Sequence, residues 1–438
     1  VGRSAPAEGA ARRPELAHAP AWDKHGDVLQ RNTVKKATER SVALTVVVAA
    51  LGYFVDIYDL ILFSIVRVKS LASLGLSPEQ VLDRGAFLLK VQMSGMLVGG
   101  IAWGVLGDKR GRLSVLFGSI ALYSLANIAN GFVASVEQYA VLRLVAGIGL
   151  AGELGAGITL VAEIMGRESR GYGTTLVAAI GILGAVVGAV IAKAFSWRVA
   201  YFVGGGLGIG LLLLRVGLLE SGMFEGVKQK AVSRGNFFLL FGTWSRAKRY
   251  LSIVFMAVPI WYVIGILVTF SAEIGKAMGT TPSPDPGTAV MLAYIGLSIG
   301  DLASGALSQV LRSRKKVAAL FLALTALAIA AYFVVGGASQ TVFYAVCVAL
   351  GIAAGYWAVF VTMASEQFGT NIRATATTTA PNFVRGALVV LTTAFQQLTG
   401  PLGVRSAALS VGVATLGIAF VSLWSLAETF GKDLDFVE

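Results

Sequence analysis

Apolar residues run through this chain in long unbroken blocks, not in the one-sided stripe of a helix that lies on a soluble core. About 20 consecutive apolar residues cross the hydrocarbon of a bilayer. By that measure the chain holds twelve blocks, six in each half: 42–66, 86–106, 113–133, 139–165, 172–195 and 199–219, then 251–271, 288–311, 317–336, 342–365, 375–399 and 407–427. A stretch with Glu225, Lys228, Lys230, Arg234, Arg246, Lys248 and Arg249 separates the halves. Pro282, Pro284 and Pro286 interrupt any helix between the seventh and eighth blocks, so that loop is expected to turn outside the membrane. The expected organisation is a tail at 1–41, a six-helix bundle at 42–219, a linker at 220–250, a second bundle at 251–427 and a short tail at 428–438.

The halves echo each other. Gly104, Asp108 and Arg112 recur as Gly305, Gln309 and the Arg312 cluster, 201 positions on; Glu163 with Arg170 recurs as Glu366 with Arg373, 203 positions on. Two matches at nearly one offset, each at the same end of a block, indicate duplicated bundles with a path between them near the midplane.

Composition agrees: 56% hydrophobic and 14% charged residues, with a mean hydropathy of +0.75, exceed what one water-soluble core hides. The net charge of +12 would suggest nucleic acid in a soluble protein. Here 25 of the 36 Lys and Arg fall on the side of the amino terminus, so the charge reads as topology, with both termini cytoplasmic and no nucleic acid partner. The first forty residues hold Ala, Pro, Gly and charge and read as a disordered tail. Cys347 lies inside a block as a small core residue. No nucleotide loop, metal cluster or nucleophilic triad stands out, so neither an enzyme nor a cofactor is expected; the glycines of 203–208 read as close helix packing.

The stretch Gly104-Val-Leu-Gly-Asp108-Lys-Arg-Gly111-Arg112 resembles the signature loop between helices 2 and 3 of the major facilitator superfamily. Arg143-Leu-Val-Ala-Gly147-Ile-Gly149, the Glu163/Arg170 and Glu366/Arg373 pairs, and Trp197-Arg198 add to the resemblance. Within it, Gly52-Tyr-Phe-Val-Asp56-Ile-Tyr-Asp59-Leu is similar to the first helix of phosphate/proton and metabolite/proton symporters. The resemblance implies an all-α integral membrane protein with the major facilitator fold, twelve transmembrane helices in two pseudo-symmetric six-helix bundles, working by alternating access. It assigns gating to Gly104, Asp108, Gly111, Arg112, Glu163, Arg170, Glu366 and Arg373, with Asp108 meeting the start of helix 11. Gln309 departs from the pattern where an acid is usual, which weakens the second-half lock.

A charge inside a span costs about 2.5 to 3.5 kcal/mol on insertion scales, so each needs a reason. Asp56 and Asp59 lie three apart, on a face with Tyr53, and cannot both ionise easily in a poor dielectric; with Glu153 they are the proton-coupling candidates. Asp59 also reads as a hydrogen-bonded structural acid. The two histidines, His18 and His25, lie in the tail, so a buried proton carrier has to be a carboxylate. Arg143 either serves an anion or pairs with Asp59 or Glu153. Arg385, sharing a face with Asn382, either anchors an anion or pairs with Asp301. Tyr53, Tyr356, Trp357, Phe360, Trp261 and Tyr262 are candidate cavity walls.

These features predict proton-coupled symport of a small organic or phosphate-like anion by a monomer in a bacterial inner membrane. A transporter of a cationic or zwitterionic solute, with the helix 1 acids holding the ligand, is the alternative, followed by a ligand sensor built on a transporter fold.

Overall fold

The computed structural model describes residues 24–110, 112–153, 170–220, 237–369 and 372–432. The chain divides into two units, Val1–Ala43 and Leu44–Glu438. In the first, the described residues are helical from Lys24, within the stretch expected to be a disordered tail. Residues 24–41 contain no proline, and eight of these eighteen are Lys, Arg, Glu, Gln or Ala, which favour a helix.

The helices are α1 (Lys24–Ser73), α2 (Pro78–Arg110), α3 (Arg112–Asn130), α4 (Val136–Leu150), α5 (Arg170–Ala194), α6 (Trp197–Glu220), α7 (Trp244–Tyr262), α8 (Ser271–Ala277), α9 (Pro286–Val310), α10 (Arg314–Val335), α11 (Gln340–Ala354), α12 (Trp357–Glu366) and α13 (Arg373–Ser425). No strand occurs among the described residues. Ser135, Thr243, Asp285, Ser313 and Ser339 cap α4, α7, α9, α10 and α11, each accepting a hydrogen bond from a first-turn amide. Helix α7 begins inside the expected linker because Thr243 supplies this cap eight residues ahead of the apolar block.

Nine apolar stretches of described helix are long enough to cross a membrane. The last, Thr375–Ser425, has 51 residues. At 1.5 Å per residue it would span about 77 Å, more than twice a bilayer core. Gly403, at φ 76° and two residues after Pro401, breaks it into the expected eleventh and twelfth spans. With α3 and α4, which are shorter among the described residues, the count is consistent with the twelve expected passes.

Glycines set close crossings, and one such pattern occurs in both halves. On α2 and α4, Gly95 meets the carbonyl of Leu144, Gly99 that of Ile148, and Gly147 that of Gln92. On α9 and α11, Gly296 meets the carbonyl of Val348, Gly300 that of Ile352, and Gly351 that of Ala293. A Cβ at any of these positions would strike backbone, so helix contact at this distance demands glycine. Gly95 and Gly99 map onto Gly296 and Gly300 at the same offset of 201 seen in the sequence. The halves then meet through α2 with the first part of α13, and α5 with α9.

Candidate functional site

The centre is built where α1, α7, α9, α12 and α13 converge. Asp56 on α1 and Arg385 on α13 form an ion pair at 3.3 Å, with both side chains fully buried. The pair joins residues 329 positions apart, one from each half. Only one oxygen and one nitrogen are used: Asp56 Oδ1 and Arg385 Nε and Nη1 make no hydrogen bond. The guanidinium lies over the rings of Trp261 and Trp357, at 5.8 and 5.7 Å. Tyr53, one turn before Asp56, packs over Gly181 of α5, with its hydroxyl beside Arg385.

Trp357 owes its position to a break in the expected tenth span. Gly355 and Tyr356 leave the helix between α11 and α12, and Asp301 of α9 accepts a hydrogen bond from the Ala358 amide at 3.2 Å, capping α12. Asp301 Oδ1 is thus engaged by backbone, and the alternative in which Arg385 pairs with Asp301 gives way to Arg385–Asp56. Tyr356 points elsewhere: its hydroxyl donates to the Met256 carbonyl at 3.1 Å, which makes it a packing residue and not a wall of the centre. The Asn382 amide donates to the Ala151 carbonyl at 2.9 Å, tying α13 to the end of α4, while its Oδ1 stays unbonded.

Glu153 has a partner the sequence reading did not name. Arg215 of α6 holds it in a two-pronged pair, Nη1 to Oε2 at 3.0 Å and Nη2 to Oε1 at 2.5 Å, with Glu153 1% exposed. Gly52 makes room for both groups, since any side chain there would run into them. The signal was present: a lone arginine in a leucine-rich span needs an acid. Arg143 therefore pairs with neither Glu153 nor Asp59. It donates to Gln92 and lies over Phe63 and Tyr201 at 5.2 and 5.9 Å, apart from the Arg385 centre. Asp56 and Asp59 also part company, as the 60° offset between positions three apart allows. Asp59 turns to α6 at Gly204 and to the Asn127 amide, and both its carboxylate oxygens lack a hydrogen bond.

Of the gating candidates, Gly104 faces Thr379 at the start of α13, and its repeat Gly305 faces Thr175 at the start of α5. Glu366 is engaged by Arg314 at 3.6 Å and by the Thr429 hydroxyl at 2.8 Å; Arg373 donates to the Phe368 carbonyl at 3.1 Å. Gly111 and Glu163, and the side chains of Asp108, Arg112 and Arg170, lie outside the described residues. An unforeseen acid supports the second-half loop: Glu428 accepts from the Ser313 hydroxyl and from the amides of Arg314 and Lys315 at 2.9 and 3.2 Å, at the amino end of α10. Burial works to raise the Glu428 carboxyl, but hydrogen bonds from Ser313 and the Phe430, Arg314 and Thr429 amides outweigh it and hold the carboxyl at about 2.

The sequence model of the Major Facilitator Superfamily matches residues 43–403. The chain belongs to this superfamily. Among proteins it resembles are the putative niacin/nicotinamide transporter NiaP of Bacillus subtilis (28% identical over 221 residues, 50% of this chain and 53% of that one) and the 3-(3-hydroxy-phenyl)propionate transporter of Escherichia coli K12 (27% over 257 residues, 56% and 61%). The 4-hydroxybenzoate transporter PcaK of Pseudomonas putida is 28% identical over 166 residues, 36% of this chain and 37% of that one. The chain thus matches about half the length of the curated relatives it resembles. A solved structure of the proton:xylose symporter XylE, bound to 6-bromo-6-deoxy-D-glucose, superposes with a TM-score of 0.71 at 17% identity, covering 91% of this chain and 98% of that one. That likeness concerns the fold: an all-α, multi-pass integral membrane protein.

Proposed function

We propose that the protein is a proton-coupled symporter of a small organic anion, with an aromatic monocarboxylate as the leading class. The observation that carries this is the Asp56–Arg385 pair, buried, joining the halves and only partly satisfied. Either two-pronged edge of the fork includes Nη2, which Asp56 holds through one oxygen, so a substrate carboxylate that displaces Asp56 gains two parallel hydrogen bonds where Asp56 makes one. Trp261 and Trp357 offer flat faces to a substrate ring. The printed names of the relatives, which include transporters of niacin and 4-hydroxybenzoate, support the same class.

The cycle follows from charge. An anion arriving beside an ionised Asp56 meets like charge; a proton on Asp56 removes it and frees Arg385. With proton and anion both bound, the centre keeps the net charge of the empty ion pair, and the halves rock around it. A proton and a monoanion crossing together carry no net charge, so the proton and anion gradients drive the cycle and the membrane potential, about 2.3 kcal/mol per charge at 100 mV, does not. Both termini are assigned to the cytoplasm of a bacterial cell, the bundles to 42–219 and 251–427, and the working unit to a monomer.

The test is ligand-induced thermal stabilisation of the purified protein with benzoate, nicotinate, 4-hydroxybenzoate, an organic cation and a sugar. The proposal expects stabilisation by carboxylates that Arg385→Ala removes. Stabilisation by the cation alone, surviving Arg385→Ala but lost in Asp56→Asn, would replace it with the reading in which the acid holds the ligand.

A further inference from the structure

A second buried ion pair joins the halves, and the site above does not use it. Arg67 lies two turns from the end of α1 and Glu273 lies in the first turn of α8, 206 positions apart. The contact is two-pronged, Nη1 to Oε1 and Nη2 to Oε2, both at 2.8 Å. Arg67 is fully buried and Glu273 19% exposed. The guanidinium also donates to the Thr269 carbonyl at 3.2 Å and the Val81 carbonyl at 3.3 Å, and lies 4.6 Å over the Phe270 ring.

The carbonyl at Thr269 is available because the helix stops there. Val263–Val268 is a π-turn in which Thr269 closes back onto the Ile264 carbonyl, and Phe270, at φ −100° and ψ 28°, leaves the helix before α8 resumes. A π-turn widens the backbone ring by a residue and costs regular hydrogen bonding, so its place needs a compensating contact. Arg67 supplies one, reaching from the other half into the break.

The two faces of the protein are therefore held differently. On the face of the α2–α3 connection, the halves meet through Gly104 with Thr379 and Gly305 with Thr175. On the face of the α1–α2 connection they meet through a charged pair, and α2 also meets α13 through the more exposed Lys90–Gln396 contact of 2.7 Å. We infer that Arg67 and Glu273 form the latch of this second face, which must separate each time the face opens. α8 is the piece that swings, hinged at the Thr269–Phe270 break. Arg67 is a positioning residue, acting through the closed state and touching no substrate. This rests on the alternating-access reading above.

The experiment reads conformation without any substrate. In a Cys347→Ala background, Ser271→Cys places a reporter thiol at a fully buried position on α8. The rate at which a bulky, water-soluble maleimide labels it in detergent-purified protein measures opening. Glu273→Gln and Arg67→Gln are each expected to raise that rate about tenfold, as loss of a hydrogen bond to a charged partner implies. Arg67→Lys should fall between these and the parent, and Lys69→Gln, a nearby exposed cation, should leave the rate unchanged. Equal rates in the parent and both Gln variants would overturn the latch. If Arg67→Gln fails to fold, Glu273→Gln, on the rim, decides alone. Proton-driven uptake, measured separately, bears on transport and not on the latch.

Discussion

Replacing Asp56 by Asn removes a charge while keeping the shape of the side chain, and the outcome for ligand affinity follows from the geometry. At 3.3 Å and an effective dielectric of about 20, the Asp56–Arg385 attraction is about 5 kcal/mol gross. Desolvation of both partners offsets most of it, leaving a net value nearer the 1.5 to 3 kcal/mol typical of hydrogen bonds to charged groups. An incoming carboxylate competes against that net value whenever Asp56 is ionised. Asp56→Asn removes the competitor, so the binding constant for the preferred anion is expected to tighten by about tenfold to a hundredfold, 1.4 kcal/mol being a factor of ten. Its dependence on pH should flatten, because no proton is then needed to free Arg385. Isothermal titration of the purified variant at two pH values, with a hydrophobic Arg385→Leu control that binds no anion, measures both quantities. Unchanged or weaker binding, with the parent's pH dependence intact, would refute the claim that Asp56 and the substrate compete for one guanidinium.

Other consequences follow from the same contacts. Glu153→Gln leaves Arg215 buried without its counter-charge and should lower thermal stability more than the paired change Glu153→Gln with Arg215→Gln, since breaking a buried pair costs about 3 to 5 kcal/mol whereas removing both ends costs far less. Gly52→Ala should destabilise to a similar degree, by driving the same two side chains apart; comparing melting temperatures in detergent checks both. Glu428 titrates below the ordinary carboxylate range, so its stabilising contribution is complete above that range and fades only as pH falls towards about 2. Stability measured at pH 7 and pH 5.5 should accordingly show the same loss from Glu428→Gln at both values. Trp357→Leu should weaken aromatic carboxylates more than acetate, read from competition for one labelled ligand, because it removes a ring face and leaves Arg385 in place.

The fold was legible because its main requirement is written locally. Each span needs about 20 apolar residues whatever its neighbours are, and the repeat showed itself through glycines and charges at a constant offset. The breaks were harder to read. The π-turn before Thr269 and the break at Gly355–Tyr356 inside the tenth block depend on backbone geometry and on partners far along the chain, and neither alters the apolar pattern, whereas the break at Gly403 falls in the expected gap between the eleventh and twelfth blocks. Asp56 and Arg385 were both recognisable as charges needing a reason, yet their meeting was not, since nothing local links positions 329 apart. Arg215 and Arg67 were missed for different causes. Arg215 sat in a span with no acid of its own, and Arg67 lay one residue past the expected end of the first span, where a charge looks solvated. Glu428 fell in a stretch read as a tail, although Gln309 had already marked the second loop as short of an acid.

In the proposed cycle a proton and an organic anion cross together. Proteoliposomes in a weakly buffered medium, given an inward gradient of the anion that best stabilises the protein, test it most directly with an external pH electrode. Alkalinisation of the medium is expected as the anion enters, absent with Asp56→Asn, while that variant still exchanges labelled for unlabelled anion. Anion entry with no change in external pH, or alkalinisation that persists in Asp56→Asn, would contradict it.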